Sequence, residues 1–467
     1  MTHAILTVDL GFGDAGKGSV VDYLARAEAA HTVVRFNGGA QAAHRVVTPD
    51  GREHVFSQFG SGCFAGAATH LSRFMLIDPP AMLTEAAHLA ALGCPEILAR
   101  TTIEAEALVL TPYTRAINRL RELARGNQRH GSCGMGIGET MQDQLRYGPR
   151  VLRAGDLADP ATVATKLQFT RALALSKLEA LRPSLPDTAT VAQELAPLYD
   201  RALPDWLAET YAQLADQLQI VGNHHLAQIL ARPGSVIFEA AQGVLLDEWY
   251  GLHPYTTWST TTLANANQLL AEAGFSGPLT RLGISRAYST RHGAGPLPSE
   301  DPALTRALPD ARNQAHPWQQ HFRVGWLDLV LLRYALAVVG PLDGLALTCL
   351  DRLAERSAPQ ICYAYQTEAT RLEHLAIVRS PDLIHQQALT DLIQRCRPVL
   401  RPISAAALPD YLEQHLGLPI LLRSYGPTAH DKQAGRDAAW GIPSADPTRA
   451  PYTSSSSKVS SSSSQAS

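Results

Sequence analysis

The sequence predicts an α/β protein with a large central mostly parallel sheet, surrounding helices and small antiparallel additions. Short β-branched apolar runs end directly in glycine-rich loops, as AILTVDL does before GFGDAGKG. Long segments rich in Ala, Leu and Glu have the spacing of amphipathic helices. The chain begins with the order strand, glycine loop, helix, strand, which is the βαβ arrangement of a phosphate-binding sheet.

The first βαβ unit is predicted from three consecutive segments. Residues 4–10 form a strand, residues 19–30 (SVVDYLARAEAA) a helix and residues 31–36 (HTVVRF) a second strand. Helical spacing returns at about 78–125 and at about 160–232, and we interpret these two stretches as helical insertions.

Four further elements are predicted in the second half of the chain. SVIFEAAQG (235–243) and LTRLGISRAYS (279–289) are typical of strands that lead into loops. GWLDLVLLRYALAVVG (325–340) is predicted to be a helix, and GLALTCLD (344–351) a buried strand that ends in an acidic residue.

The end of the chain differs in composition from the rest. Residues 441–467 are rich in serine, contain proline and have few large apolar side chains, namely Ile442, Tyr452 and Val459. Such a segment cannot bury enough surface to fold. We therefore predict one folded domain over residues 1–440 and a disordered Ser-rich tail over residues 441–467.

Composition favours a cytoplasmic protein and gives no sign of a nucleic-acid partner. The chain has 467 residues, is 45% hydrophobic and carries a formal net charge of −3, so no basic excess indicates a nucleic-acid partner. The six cysteines are scattered without a CxxC pair, so the sequence indicates neither a zinc site nor a disulfide framework. Cysteines without such a pattern are typical of a protein in the reducing cytosol. We see neither a signal peptide nor an apolar run long enough to cross a membrane.

The segment GFGDAGKGSV (11–20) is nearly a P-loop. Gly11, Gly16 and Lys17 fit that motif, but Gly18 stands where Ser or Thr would hold magnesium. Gly13 adds flexibility, and the helix that follows adds the positive end of its dipole. Asp14 would repel phosphate unless it serves as a magnesium ligand, a general base, or both. The alternative is a glycine-rich turn that binds no ligand.

Three other segments carry candidate site residues. In RFNGGAQAAH, Gln41 can bond a ligand and His44 can donate a proton, although a lone histidine is also common in ordinary packing. HGSCGMGIG places Ser132 and Cys133 in a loop rich in backbone amides, which suits an anion or is merely flexible. The segment 238–262 contains Gln242, Thr257 and a run of threonines that suits either phosphate or a strand.

Taken in this order, the motifs resemble those of the adenylosuccinate synthetase family. The resemblance covers about residues 4–430 and is strongest in GFGDAGKGSVVD, VRFNGGAQAAH, FEAAQGVLLD, ISRAYSTRHGAGPLPSE, GWLDLVLLRYAL and GLALTCLD. It implies the α/β, P-loop-like GTP-binding fold of that family. It also implies a homodimeric ligase of purine biosynthesis that couples IMP and aspartate with GTP and magnesium.

The resemblance implies a role for the Asp inside the loop. Asp14 would be the base that removes the N1 proton of IMP, so that O6 attacks the γ-phosphate of GTP. Magnesium would meet Asp14 and the backbone carbonyl of Ala43. His44 would stabilise or protonate the group at phosphoryl transfer, and Lys17 would lie at the phosphates. An amine then displaces the phosphate from carbon 6.

The same resemblance implies two nucleotide sites. The residues matched to the IMP site are Asp14, Gln41, Ser132, Cys133, Arg146, Gln242 and Thr257. Gln242 would contact the base, and Arg146 would reach the IMP phosphate of the partner subunit. The residues matched to the GTP site are Gly13, Gly16, Lys17, Gly18, Asp351, Ser424 and Gly426. Cys349 stands where the family has lysine.

The sequence departs from the family at the loop that holds the amino acid. The family has an arginine-rich run there, whereas this chain reads AHPWQQHFRVGWLD. Arg323 is the arginine that remains in this stretch just before GWLD, beside Trp318 and His321, and His292 replaces a valine. Either aspartate is held differently, or a paralogue of a specialised nucleoside pathway uses another amine or, in place of IMP, a related 6-oxopurine nucleotide. Two further alternatives are a non-catalytic nucleotide-binding regulator and O6 phosphorylation without an amine step.

Overall fold

The computed structural model describes residues 1–310, 318, 321–356, 358–378, 380–436 and 438. The predicted tail, 441–467, lies outside the described residues. The strands are β1 (Thr2–Asp9), β2 (Thr32–Arg35), β3 (His44–Val47), β4 (Glu53–Phe56), β5 (Ala68–Leu71), β6 (Leu76–Ile77), β7 (Thr101–Glu104), β8 (Leu108–Val109), β9 (Gln219–Val221), β10 (Gly234–Glu239), β11 (Leu279–Arg286), β12 (Tyr288–His292), β13 (Phe322–Asp328), β14 (Gly344–Thr348), β15 (Gln360–Gln366), β16 (Arg371–Leu372), β17 (Arg397–Pro402), β18 (Ile420–Ser424) and β19 (Lys432–Ala434).

The helices lie between these strands. They are α1 (Lys17–Ala27), α2 (Pro79–Ala91), α3 (Pro112–Ala124), α4 (Ile137–Tyr147), α5 (Pro160–Leu181), α6 (Ala189–Tyr199), α7 (Leu203–Ala215), α8 (His225–Ala231), α9 (Ala264–Glu272), α10 (Pro302–Ala307), α11 (Leu329–Val339), α12 (Leu350–Ala354), α13 (Leu383–Arg395) and α14 (Leu408–Leu416). Among the described residues, none of them combines the length and apolar character that a membrane span requires.

A ten-stranded sheet forms the centre of the described chain. Its strand order is β19-β18-β14-β11-β1-β10-β2-β5-β7-β9, and its strands pair in parallel except at the β18–β19 edge. Residues Ala4, Ile5 and Leu6 of β1 are all fully buried. Successive side chains of a strand point to opposite faces, so both faces of this sheet are covered. The predicted large, mostly parallel sheet is confirmed.

A smaller sheet continues directly from the large one. Only Ala287 separates β11 from β12, which pairs antiparallel with β13 and places His292 opposite Phe322. β13 pairs in parallel with β15, which is flanked by antiparallel β16 and β17. This sheet supplies the antiparallel additions that the sequence predicts.

The structure corrects the boundaries of several predicted elements. The predicted helix 325–340 begins only at Leu329, because Gly325–Asp328 belong to β13 and the Asp328 carboxylate caps α11 by accepting from the Val330 and Leu331 amides at 3.1 and 3.0 Å.

Other boundaries are shorter or interrupted. The strand predicted over 344–351 ends at Thr348, since Cys349 has a positive φ of 58° and α12 follows it. The two helical stretches also contain short strands, β7 and β8 in the first and β9 in the second. These short segments are strands because they pair with strands that are distant in sequence. Helical periodicity in the sequence does not reveal such pairing.

Candidate active site

The phosphate loop is organised by a buried carboxylate that the sequence reasoning did not single out. Asp9, the last residue of β1, is fully buried and accepts hydrogen bonds from the amides of Gly11 at 2.9 Å and Ala15 at 3.0 Å. Gly16 has a φ of 88° and leads into α1. The carboxylate therefore fixes the path of the loop from inside, and an acidic residue at the end of a buried strand was the available signal.

Lys17 begins α1 and is also tied to this carboxylate. Its Nζ lies 2.7 Å from Asp9 Oδ2, and the residue is only 4% exposed. An ammonium has three donors, so the pair with Asp9 leaves further donors for a phosphate. The structure thus places Lys17 at the loop as the motif predicts, but with a charged partner already present.

Gly18 is required by packing against β3. A Cβ at this position would lie 2.8 Å from the carbonyl carbon of His44 and 2.9 Å from its Cβ. Real Cβ atoms do not approach backbone this closely, so serine or threonine does not fit without a shift. The missing hydroxyl of the near-P-loop follows from the position of His44.

His44 is oriented by a second buried carboxylate that the sequence reasoning missed. His44 Nδ1 lies 2.6 Å from Glu239 Oε1, and Glu239 also accepts from the amide of Ser61 at 2.9 Å. A carboxylate only accepts, so Nδ1 carries the proton of the neutral ring and Nε2 is the nitrogen that does not bond Glu239.

Burial and charge set the protonation of this pair. Burial lowers the pKa of His44 to about 4, helped by Arg35 and Lys17 and opposed by Glu239. Burial raises the pKa of Glu239, but His44, Arg35 and the Ser61 hydroxyl together lower it to about 2. At neutral pH the pair is therefore a neutral imidazole on an ionised carboxylate.

Asp14 extends from the loop toward the smaller sheet. Its φ is 56°, and its Oδ2 lies 3.1 Å from Nε2 of His292 on β12. Burial raises the pKa of Asp14, but the hydrogen bond and charge of His292, with Arg286 and Lys17, lower it to about 2. The carboxylate is thus ionised, which is the form that a metal ligand or proton acceptor needs.

The loop after β10 packs directly on the phosphate loop. A Cβ on Gly243 would lie 2.2 Å from the carbonyl oxygen of Gly11 and 2.3 Å from the amide of Gly13, so only glycine permits this contact. The preceding residue, Gln242, has a φ of 57°. The structure thereby brings Gln242 to the near-P-loop, and its role in an IMP site stays a prediction.

Gln41 and Gln242 have buried amide atoms without hydrogen-bond partners within the described chain. Both side chains approach the glycine pair Gly38–Gly39. A Cβ on Gly38 would lie 3.1 Å from Gln242 Oε1, and one on Gly39 would lie 3.0 Å from Gln41 Oε1. Buried amides normally find partners, so these two are suited to a polar ligand.

The threonine segment contacts the same region through its backbone and a serine. The Thr257 amide donates to the carbonyl of Leu246 at 2.9 Å, and Ser259 Oγ accepts from the Gly38 amide at 3.2 Å. The exposed Ala43 lies between Gln41 and His44 along the chain.

The second glycine loop is held by α3 and by Trp318. Ser132 Oγ accepts from Asn118 at 3.1 Å. Trp318 is 8% exposed, and a Cβ on Gly134 would lie 3.0 Å from its ring. Burial raises the pKa of the Cys133 thiol, against the influence of backbone hydrogen bonds and nearby arginines. Trp318, predicted for the amine site, therefore packs against the loop predicted for the IMP phosphate.

Arg146 lies on the surface at the end of α4. Its guanidinium is 5.4 Å from the ring of Tyr147, and the neighbouring Leu145 is 75% exposed. Trp258, which packs near Gly138, is 43% exposed. The surface around the predicted IMP site thus displays large apolar side chains.

The predicted guanine-facing residues meet around a buried lysine. Asp351 lies in the first turn of α12, and Ser424 Oγ donates to the carbonyl of Gly426 at 3.1 Å. Lys432 Nζ donates to the same carbonyl at 3.0 Å. Burial lowers the pKa of Lys432 to about 8, opposed by four groups that include Cys349 and Asp351. Lys432 was not predicted from the sequence, and it fixes this segment.

The arginines near the predicted amine site bind backbone carbonyls. Arg323 donates to the carbonyls of Gly293 and Gly295 at 2.7 and 2.8 Å, and to Glu300 at 2.7 Å. Arg291 is 2% exposed and donates to the carbonyls of Ala294, Pro296 and Tyr255. A role of Arg323 toward the amine stays a prediction.

His292 and His321 differ in their surroundings. The His292 ring lies 4.8 Å from that of Phe322 and faces Asp14, while His321 is exposed and its carbonyl accepts from the Gly293 amide at 3.0 Å. A Cβ on Gly131 would lie 3.4 Å from the Ala294 amide, so this loop also touches the second glycine loop.

Comparisons with known proteins identify the family of the chain. The sequence profile of adenylosuccinate synthetase matches residues 6–432. Adenylosuccinate synthetase of Desulfovibrio desulfuricans is 35% identical over 79% of this chain and 84% of its own length. That of Marinomonas sp. is 32% identical over 94% of this chain and 99% of its own length.

Two solved structures share the fold. Fully ligated adenylosuccinate synthetase from Plasmodium falciparum aligns with a TM-score of 0.74 at 20% identity, covering 92% of this chain and 99% of that chain. Succinoaminodeoxyadenylate synthetase of cyanophage S-2L, bound to dGMP and dATP as an energy donor, aligns with a TM-score of 0.57 at 17% identity, covering 93% and 96%. From the profile match and the sequence identities, we conclude that the chain belongs to the adenylosuccinate synthetase family.

Proposed function

We propose that the protein is a GTP-dependent ligase that phosphorylates O6 of IMP and lets an amine displace the phosphate, which yields adenylosuccinate when the amine is aspartate. One observation carries this proposal. An ionised Asp14 and a Glu239-oriented His44 flank the helix that begins with Lys17. The carboxylate of Asp14 raises the nucleophilicity of O6 by accepting the N1 proton, and the ammonium of Lys17 neutralises charge on the transferring phosphoryl group. His44 can assist there only after it takes up a proton, because Nε2 then donates to a phosphate oxygen while Glu239 balances the charge of the ring.

Asp14 can supply one ionised carboxylate to a magnesium ion. The described residues hold no group of three or more His, Cys, Asp or Glu side chains arranged for a metal. Magnesium commonly takes one or two carboxylates and completes its shell with water and phosphate oxygens. Asp14, with the carbonyl of Ala43, would hold the ion, and the ion would reduce the negative charge of the triphosphate.

The polar groups without partners support an IMP site. The amides of Gln41 and Gln242 are available to the purine, and Ser132, Cys133 and Thr257 would surround its phosphate. The exposed Leu145 and Trp258 support a homodimer, in which Arg146 would reach the partner's IMP. A cytoplasmic location follows from the same proposal, since IMP and GTP are substrates there.

The guanine side of the GTP site would be formed by Asp351, Ser424 and Gly426. A carboxylate can accept from both N1–H and the 2-amino group of guanine, which adenine cannot offer together. Lys432 supports this assignment because it holds the Gly426 carbonyl and keeps the segment in place.

A second candidate differs only in the amine. Arg323 and Arg291 are occupied by carbonyls and by Glu300, so among the described residues neither offers a free fork to a dicarboxylate. This favours a less acidic or bulkier amine beside His292 and Phe322. Residues 311–317, 319 and 320, which belong to the predicted amine loop, lie outside the described residues.

A phosphate-release assay distinguishes these candidates. IMP, GTP and magnesium are supplied with aspartate, without an amine, or with a panel of other amines, and mass spectrometry identifies the products. Adenylosuccinate formed only with aspartate supports the first candidate. A different adduct, with aspartate ignored, supports the second. Absence of both phosphate release and any adduct refutes the ligase proposal.

A further inference from the structure

Arg286 is a largely buried cation without a full set of partners. It ends β11, and its side chain is 13% exposed. Nε and Nη1 have no hydrogen-bond partner within the described chain. Two carboxylates favour its charge: Asp14 of the phosphate loop, and Asp310, whose Oδ2 lies 4.0 Å from Nη2, beyond hydrogen-bond distance.

A buried guanidinium with unpartnered N–H groups lowers the stability of the fold. Removing a charge from water is unfavourable unless hydrogen bonds and an opposite charge compensate it. The ring of Tyr288, 5.4 Å away, compensates only part of this cost. We therefore expect an anionic ligand with oxygens that reach Nε and Nη1.

The surroundings of Arg286 identify the region this ligand occupies. Its Cα pairs with that of Thr348, whose Oγ1 donates to the carbonyl of Ala15 in the phosphate loop at 2.8 Å. Arg286 and the phosphate-loop residues Gly11, Gly13 and Ala15 line one small cavity of about 40 Å³, which apolar side chains such as Leu245 and Leu331 also line. The cavity is too small for a phosphate chain, but it shows that Arg286 and the loop face the same space.

Electrostatic coupling agrees with this placement. Burial opposes the charged form of Arg286, yet its pKa is raised because Cys349, Tyr288, Asp14 and Asp310 favour the cation. Cys349 directly precedes α12, which carries Asp351. Arg286 thus lies between the phosphate loop and the segment that would face guanine.

We propose that Arg286 binds the phosphate chain of the nucleoside triphosphate, with its unpartnered N–H groups donating to phosphate oxygens. The inference rests on the proposed function, because GTP is taken as the phosphoryl donor. The phosphate chain is favoured over the carboxylate of an amine because Arg286 belongs to the large sheet beside Ala15. The predicted amine residues His292 and Arg323 belong to the smaller sheet. The planar fork of arginine suits phosphate oxygens.

The test measures binding without turnover. Isothermal titration compares GTP, guanosine and IMP on the wild-type protein and on Arg286→Met, Arg286→Lys and Arg281→Met, in the presence of magnesium. Arg281 lies toward the other end of β11 and provides a matched loss of charge. Arg286→Met should weaken the affinity for GTP by about 10- to 100-fold and leave the affinities for guanosine and IMP unchanged. Arg286→Lys should lose less GTP affinity than Arg286→Met. Arg281→Met should match the wild type.

Thermal unfolding of the ligand-free proteins separates binding from a structural role. Arg286→Met should not lower the melting temperature, because it removes an unsatisfied buried charge, but it should reduce the stabilisation that GTP adds. A lower melting temperature with unchanged GTP affinity would overturn the inference. Loss of IMP or amine affinity with intact GTP binding would overturn it as well.

The same titrations separate this inference from the proposed function. A wild-type protein that binds GTP but forms no adduct refutes the ligase and leaves the Arg286 result decisive. A wild-type protein that binds no GTP refutes both.

Discussion

Replacing Gly18 with serine restores the P-loop pattern and should nevertheless damage the protein. The new Cβ would lie 2.8 Å from the His44 carbonyl carbon, 2.9 Å from the His44 Cβ and 3.0 Å from the Arg45 carbonyl oxygen. Carbon atoms in contact are about 3.5–4.0 Å apart, so β3 has to move by about 0.5–1 Å. Backbone atoms form most of this contact, and no flexible side chain can yield instead.

Two quantities should change in Gly18→Ser. Overpacking should lower the free energy of unfolding by about 1–3 kcal/mol. Displacing His44 by up to about 1 Å should lower turnover about 100-fold. The first is read from the midpoint of denaturant unfolding, and the second from phosphate release at saturating IMP, GTP and magnesium.

Gly222→Ser is the matched control for this substitution. A Cβ at Gly222 meets nothing within 4 Å, so stability and turnover should stay at the wild-type level. Wild-type turnover in Gly18→Ser, or a gain in magnesium affinity, would refute the reasoning. The loop would then accept the hydroxyl and act as an ordinary P-loop.

Three further predictions concern carboxylates. Asp14→Ala should abolish phosphate release while GTP still binds in titration, and retained turnover would contradict its role as base. Glu239→Gln removes the charge-assisted hydrogen bond to His44, so kcat should fall about 10- to 100-fold; an unchanged kcat would show that this orientation is irrelevant. Burial raises the pKa of Asp328 to about 6 from 3.8, despite hydrogen bonds from Tyr365 and the α11 amides. The protonated Asp328 carboxyl therefore contributes about 3 kcal/mol to the free energy of unfolding below about pH 4, and this contribution is lost as the pH rises through 6. Asp328→Asn should remove this loss between about pH 4 and 7 in denaturant titrations, and parallel pH profiles for the two proteins would contradict it.

The sequence was sufficient to predict the fold class and the segments that build the site. The near-P-loop can be recognised from local sequence, because a strand, glycines and a helix are needed in that order to direct amides at an anion. The loop before His44 and the loop after β10 were also recognised, and the structure brings both to the near-P-loop. Local sequence order carries this information.

The hydrogen-bond and ion-pair partners of the site side chains could not be predicted in the same way. Asp9 and Glu239 occupy strand ends, where sequence periodicity shows burial but not the amides and rings that the carboxylates meet. Arg323 was predicted to face the amine, yet the turn at Gly293–Gly295 supplies carbonyls that take its donors. His292 meets Asp14 only because β12 leaves the large sheet immediately after β11. Such contacts depend on the tertiary path of the chain.

The single residue between β11 and β12 has a consequence for how this protein diverges from its relatives. Phosphoryl activation would be built on the ten-stranded sheet, whose loops interlock so tightly that Gly18 and Gly243 admit no side chain. The smaller sheet carries His292 and Arg323 of the predicted amine site, whereas Cys349, which replaces a lysine of the family, follows β14 of the large sheet. If the amine site lies on the smaller sheet, as proposed, substitutions there would change the amine and leave the residues proposed for phosphoryl activation in place.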